Sequence, residues 1–143
     1  MNSKNQTANL YKLNENQLKL IEKFIEEIIK FNKHTNIVGK STLNDFWRRH
    51  VLDSLQICKH IKSKKKSILD MGTGAGIPGI FLSIAGYSKV SLIDSNSKKI
   101  KFIQNVICKL NINAKTYLSR IENLRNTKFD FLISRALAKL SEL

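Results

Sequence analysis

The sequence predicts an α/β fold, a parallel sheet preceded by a helical N-terminal extension. Three observations predict it. Short apolar runs that suit buried strands alternate with helix-patterned segments from residue 67 onward. The first of those runs, Ser67-Ile68-Leu69-Asp70, ends on an acid and opens directly into a glycine cluster. Residues 14–60 carry helical spacing and no strand pattern, which sets the two parts apart near residue 64.

Residues 1 to about 13 are polar and are expected to be loose. A helix starts with Asn14 or Asn16 as its N-cap. Its apolar positions, Leu18, Ile21, Phe24, Ile25, Ile28, Ile29 and Phe31, follow three-and-four spacing, with Glu22, Glu26 and Lys30 on the opposite face. A polar loop, 32–39, leads to a second helix expected from about Thr42 to His60, with Phe46, Trp47, Leu52, Leu55 and Ile57 as its apolar members. Lys62-Ser63-Lys64-Lys65-Lys66 is a solvated connector. The strand at Ser67–Asp70 is followed by a helix from Pro78 to about Gly86, a strand from Lys89 to Asp94 and a helix over 97–110. Ala114–Leu118 is a third strand and Phe129–Ser134 a fourth, with a short helix between them. This order requires parallel strands joined by right-handed crossovers. The parts are therefore a helical extension, 1–64, and a sheet-containing part, 65–143.

Composition narrows the partners. The 143 residues are 42% hydrophobic and 25% charged, a globular balance, and one Pro and six Gly argue against an all-β fold rich in turns. Lys and Arg number 25 against 11 Asp and Glu, and this net +14 favours a polyanion such as nucleic acid. Cys58 and Cys108 form no disulfide framework and have no CxxC partner; both are expected as buried, reduced thiols, and no metal site is expected. No run is long and apolar enough for a membrane span, and the first residues lack an apolar signal core, so the cytoplasm is expected.

The chemistry concentrates in Asp70-Met71-Gly72-Thr73-Gly74-Ala75-Gly76-Ile77-Pro78-Gly79. Glycines allow a sharp turn after the strand and close approach by a ligand, and the following helix offers unpaired N–H groups. Dinucleotide enzymes use G-x-G-x-x-G, whereas the spacing here is D-x-G-x-G-x-G with the acid at the strand end, as in Rossmann-like methyltransferases. A phosphate-binding Walker loop is excluded, because no Gly-Lys-Ser or Gly-Lys-Thr follows. Asp94, at the end of the second strand, is placed to accept hydrogen bonds from both hydroxyls of an adenosine ribose; the plainer alternative is an Asp that caps the next helix.

From about residue 18 to the last residue the chain resembles the bacterial small-subunit ribosomal RNA guanine-N(7) methyltransferases, the RsmG/GidB family. Five segments carry the resemblance in order. They are Phe31-Asn32-Lys33 through Asn36-Ile37, Arg49-His50-Val51-Leu52-Asp53-Ser54-Leu55, the glycine loop, Leu92-Ile93-Asp94-Ser95 with Lys98-Lys99-Ile100-Lys101-Phe102, and finally Arg120-Ile121-Glu122 with Ser134-Arg135-Ala136. The resemblance implies a class I methyltransferase fold, S-adenosyl-L-methionine as cofactor, and 16S ribosomal RNA or the small ribosomal subunit as partner. It implies cofactor contacts at Gly72 and Ile77, to which the glycine loop and the strand-end acid add Gly74, Gly76 and Asp94. Ile121 and Glu122 are implied near the adenine, and Arg135 beside the methionine end, where a guanidinium can grip a carboxylate.

His50 is read as structural, holding the extension against the core. Guanine nitrogen 7 has a lone pair and no proton to remove, so no catalytic acid or base is expected. The family pattern calls for a seven-stranded sheet, and this sequence ends just after the fourth strand. The fold is therefore expected to be incomplete at the C-terminus, with apolar sheet surface partly uncovered, in either a fragment or a divergent short form. A monomer with no membrane partner is expected. Two alternatives stay open: a methyltransferase acting on a small molecule or protein, and a truncated, inactive RNA-binding remnant. A dinucleotide oxidoreductase is disfavoured by the glycine spacing.

Overall fold

The computed structural model describes residues 2–124 and 127–134. Four strands, β1 (Ser67–Met71), β2 (Lys89–Asp94), β3 (Ala114–Leu118) and β4 (Phe131–Ser134), form one parallel sheet in the order β3-β2-β1-β4. The register pairs Ile68 with Val90 on one side and with Phe131 on the other. Side chains alternate between faces along each strand. Ile68, Val90, Leu92 and Ile133 join the main core, whereas Leu69, Met71 and Leu132 point to the second face. On that second face Leu132 stays 61% exposed, so apolar sheet surface is uncovered there among the described residues.

The chain steps from β1 to β2 and β3 on one side, then crosses back to place β4 on the other side of β1. The reversal opens a crevice at the carboxyl end of β1, where open parallel sheets receive their ligands. The glycine loop begins there.

Helices α4 (Gly79–Ile84) and α5 (Ser97–Leu110) follow β1 and β2 and pack on the core face. Asn96 caps α5 by accepting from the Lys99 N–H at 3.1 Å, and Asn111, at φ +52°, ends it. Ile100, Phe102, Ile103 and Val106 face inward. Cys108 lies on the outward face and is exposed, and Cys58 is half-buried, which corrects the expectation of two buried thiols. Residue 108 follows the inward stripe by a step of two from Val106, and two helical steps turn the side chain to the far side.

The extension packs into the same core. Helix α2 (Glu15–Asn32) starts with a capping box in which the Asn14 side chain accepts from the Gln17 N–H and the Gln17 side chain accepts from the Asn14 N–H. Ile21, Phe24 and Ile28 are fully buried, and Phe24 meets Phe81 of α4 edge-on at 5.2 Å. Phe31 packs on Phe102 of α5 at 4.6 Å. Ile29 is exposed, at the border of the apolar stripe.

Two expectations are corrected here. Residues 3–11 are not loose; they form α1 (Ser3–Tyr11), capped by Asn2. Its apolar periodicity is weak, and tertiary contact stabilises it instead: Lys4 pairs with Glu22 of α2 and lies over the Trp47 ring, and Thr7 is fully buried. The second helix is not continuous from Thr42 to His60. A 3₁₀ turn at Lys40–Thr42 is followed by Asp45 at φ +59°, a left-handed residue that breaks helical continuation. Helix resumes as a π-helical stretch, Trp47–Leu52, which continues into α3 (Asp53–Leu55) and a 3₁₀ turn at Gln56–Lys59. The connector is exposed, as expected, but Lys64 is docked. Its ammonium donates to the Ala85 carbonyl at 2.6 Å and lies 5.2 Å from the centre of the Tyr87 ring.

Candidate functional site

The glycine loop is braced from both sides. The Gly72 and Thr73 N–H groups both donate to the Ile93 carbonyl of β2, at 3.0 and 3.1 Å. Asp70, fully buried, accepts from the Thr73 hydroxyl at 2.7 Å and from the Gly79 N–H at 2.8 Å through one carboxylate oxygen. Asp70, one residue before the end of β1, therefore builds the loop from beneath and does not face the crevice.

The glycines divide by role. Gly72 and Gly74 have φ of +64° and +59°, which side chains resist, and a Cβ on Gly74 would meet nothing within 4 Å. Gly74 thus borders open space. Gly76, at φ +93°, is different: a Cβ there would lie 2.8 Å from Ile80 and 3.6 Å from Phe24. Its surroundings are core, and packing accounts for the absence of a side chain.

Asp94 closes the crevice opposite the loop. One carboxylate oxygen accepts from the Gly74 N–H at 3.0 Å and the other from the Asn96 N–H at 2.9 Å. Asn96, not Asp94, caps α5, so the Asp94 carboxylate is held half-buried against the loop with lone pairs to spare for hydroxyl donors. The Ser119 N–H donates to the Asp94 carbonyl at 3.0 Å and ties the end of β3 to this point. A 3₁₀ turn, Ile121–Asn123, follows directly. Ile121 and Glu122 are exposed on that turn, and Ile121 lines a hollow with Leu69, Met71 and Leu132. Arg135 lies outside the described residues.

Gly74 also lines a cavity of about 260 Å³. One wall is the glycine loop from Gly72 to Ile77. The other comes from the extension, where Ile37, Val38, Gly39, Thr42 and His50 line it. His50 is 7% exposed; its Nε2 bonds the Thr42 hydroxyl at 2.8 Å, and its ring packs on Phe46 at 4.5 Å. Both partners belong to the extension, and His50 lies in the crevice wall. Asn32 and Thr42, absent from the sequence-derived site, also build this wall. Asn32 sits at the end of an apolar stripe where a polar residue has no packing reason to be buried, which is a signal the sequence did carry.

No His, Cys, Asp and Glu grouping among the described residues could hold a metal ion. No helix among them is long and apolar enough to cross a membrane.

Comparison with known proteins agrees with this geometry. The family model of the rRNA small subunit methyltransferase G (GidB) matches residues 17–143. The ribosomal RNA small subunit methyltransferase G of Rickettsia felis is 40% identical over 123 residues, 86% of this chain and 64% of that protein. The Cereibacter sphaeroides protein of the same name is 38% identical over 125 residues, 84% of this chain and 61% of that protein. That of Orientia tsutsugamushi is 35% identical over 133 residues, 93% of this chain and 67% of that protein. The chain spans about 64% of the length of the first of these relatives. With a four-stranded parallel sheet, a braced glycine loop and a carboxylate at the end of β2, the chain belongs to the GidB family.

Proposed function

We propose that the chain binds S-adenosyl-L-methionine and transfers its methyl group to nitrogen 7 of a guanine in 16S ribosomal RNA. The carrying observation is the Asp94 carboxylate, held by backbone N–H groups beside Gly74, a left-handed glycine that opens onto empty space. That combination fits an adenosine ribose: a fixed acceptor for two hydroxyls, with backbone free to approach closely. Ile121 supplies apolar surface for the adenine, and Glu122 lies beside it. Gly72 and Ile77 border the cofactor from the loop, and Arg135 is assigned to its carboxylate end. Gly76 serves the loop by keeping its underside packed.

When bound, S-adenosylmethionine supplies an electrophilic methyl group: the nitrogen lone pair forms the new N–C bond as the C–S pair returns to sulfur, and no proton moves. The residues then have to align and desolvate, and no side chain is assigned as acid or base. Residues 65–143 carry the cofactor in this account, and residues 1–64 form the extension that faces the RNA. Lys33, Lys40, Arg48 and Arg49 are exposed on or next to the segments that wall the cavity, where they suit phosphate. A ribosomal RNA substrate implies a cytoplasmic protein, and it acts as a monomer with no membrane partner.

The test is methyl transfer from tritium-labelled S-adenosylmethionine to small-subunit RNA from cells lacking this gene. Digestion to nucleosides should place the label in 7-methylguanosine. Label in another nucleoside, or none in RNA, rejects the assignment.

A further inference from the structure

One buried residue of β2 has no packing reason to be polar. In the run Val90-Ser91-Leu92-Ile93 every residue is buried, Ser91 at 6% exposed. The register sets Ser91 between Leu69 of β1 and Lys115 of β3, which turns its side chain to the second face of the sheet, away from α4 and α5. Its hydroxyl makes no hydrogen bond among the described residues. A buried hydroxyl without a partner costs stability, and an apolar side chain would suit that place in the strand better. Ser91 instead lines a hollow of about 370 Å³, together with Lys89, Lys115, Tyr117, Thr127 and Phe129. The hollow lies at the amino end of the strands. Lys89 opens β2 and Asp94 closes it, about 16 Å away at about 3.3 Å per residue, so the hollow and the cofactor crevice are at opposite ends of the sheet. Its rim is fixed, because the Asn113 side-chain amide donates to the Ser88 carbonyl at 3.2 Å. The neighbouring Asp130 is occupied by Ser67, whose N–H donates to its carboxylate at 2.8 Å and whose hydroxyl does so at 3.2 Å.

We propose that this hollow is a second ligand site, separate from the cofactor crevice, which takes the phosphate of a nucleotide. Lys89 and Lys115, both exposed and on neighbouring strands, line it and supply the charge. The Ser91 hydroxyl donates from the floor to a phosphate oxygen, which satisfies the group that the fold leaves unpaired. Tyr117 and Phe129, each half-buried, add ring surface against which a base or ribose lies. The volume falls within the range of about 300–1,000 Å³ that small-ligand pockets occupy. An apolar ligand would leave Ser91 unpaired and take both ammonium groups out of water without return. Two sources share the phosphate chemistry, a free nucleotide and the phosphate of an RNA chain. The site does not rest on the cofactor assignment.

The test uses the 143-residue chain labelled with nitrogen-15, with S-adenosylhomocysteine added in excess to occupy the crevice. Uridine 5′-monophosphate and uridine are titrated in turn, and amide shifts are read by NMR. The nucleotide should shift the amides of Ser91 and Lys115 and leave those of Gly72 and Gly74 in place. Uridine, which lacks the phosphate, should bind at least about tenfold more weakly. Ser91→Ala, which removes the hydroxyl and little else, should weaken the nucleotide about tenfold. Lys89→Gln with Lys115→Gln, at exposed positions outside the core, should weaken it further. Thermal melts check that each variant is folded, and if Ser91→Ala is not, the lysine pair carries the test. A 5′-phosphorylated RNA hexamer then separates the sources, both of which support the site. Tighter binding than the mononucleotide at the same amides assigns the hollow to RNA, and equal or weaker binding assigns it to a free nucleotide. An unshifted Ser91 amide would overturn the proposal. So would equal binding of uridine, or parent affinity in the variants. None of these results bears on the cofactor crevice, which S-adenosylhomocysteine shifts at Gly72 and Gly74 report separately.

Discussion

Alanine placed at Gly74 and at Gly76, two residues apart in one loop, should have opposite consequences. At Gly76 the new Cβ meets a left-handed backbone, φ +93°, and lies 2.8 Å from Ile80. The torsion costs about 1–2 kcal/mol. Overpacking adds about 1–3 kcal/mol. The lower entropy of the unfolded chain returns about 0.4–1 kcal/mol. The net destabilisation is therefore about 2–4 kcal/mol, which at roughly 3–4 °C per kcal/mol for a chain of this size lowers the melting temperature by roughly 6–16 °C. At Gly74 the torsional cost is similar but nothing lies within 4 Å, so the net loss is only about 1 kcal/mol. The Cβ instead enters the space assigned to the ligand. Thermal melts followed by circular dichroism, with calorimetric titration of S-adenosylhomocysteine, read both effects. Gly76→Ala should melt early, and Gly74→Ala should melt near the parent and lose binding. A Gly74→Ala variant that binds like the parent, or melts below Gly76→Ala, would refute the division of roles between the two glycines.

Asp94→Asn should weaken S-adenosylmethionine by about 1–3 kcal/mol in the same titration, because a charge-assisted acceptor is lost, and NAD should not compete at comparable concentration. Alkaline stability should reflect Tyr87, whose hydroxyl donates to the Ile61 carbonyl at 2.5 Å and whose pKa burial, then Cys58, pushes above the ordinary 10.0. Tyr11 is raised by burial and by Cys58 in the same direction. The unfolded phenols ionise first, so this contribution is complete below about pH 10 and is lost as pH rises through the folded values. Urea midpoints at about pH 8 and about pH 11 should show the fall, and Tyr87→Phe should lessen it while losing about 1 kcal/mol at neutral pH.

The sheet was largely legible because β1, β2 and β4 are short, mostly apolar runs bounded by glycine or polar residues. Strands β2 and β3 and helix α5 begin and end where the spacing places them. Motif grammar could not separate Gly74 from Gly76, because both are glycines with positive φ; only the neighbours of a Cβ distinguish ligand space from core. Helix α1 was illegible because its stability comes from Lys4 meeting Glu22 and Trp47, contacts distant in sequence. The break at Asp45 was hidden inside a plausible apolar pattern, since Phe46, Trp47 and Leu55 fit a continuous helix as well as a broken one. The pairing of His50 with Thr42, and hence the wall they form, depends on the chain folding back at that break. The Asp94 site was legible as a candidate from motif spacing, whereas the cavity joins the glycine loop to Ile37, Val38, Gly39, Thr42 and His50 of the extension, a juxtaposition that no motif spans.

The most direct measurement is made on ribosomal RNA from cells in which this gene is deleted and then restored. Small-subunit RNA is cleaved chemically at 7-methylguanosine and the breaks are mapped by primer extension. Cleavage at one guanine should disappear on deletion, return with the parent gene and fail to return with Asp94→Asn and Gly74→Val together. An unchanged cleavage pattern in the deletion strain would contradict guanine-N7 methylation of this RNA as the function.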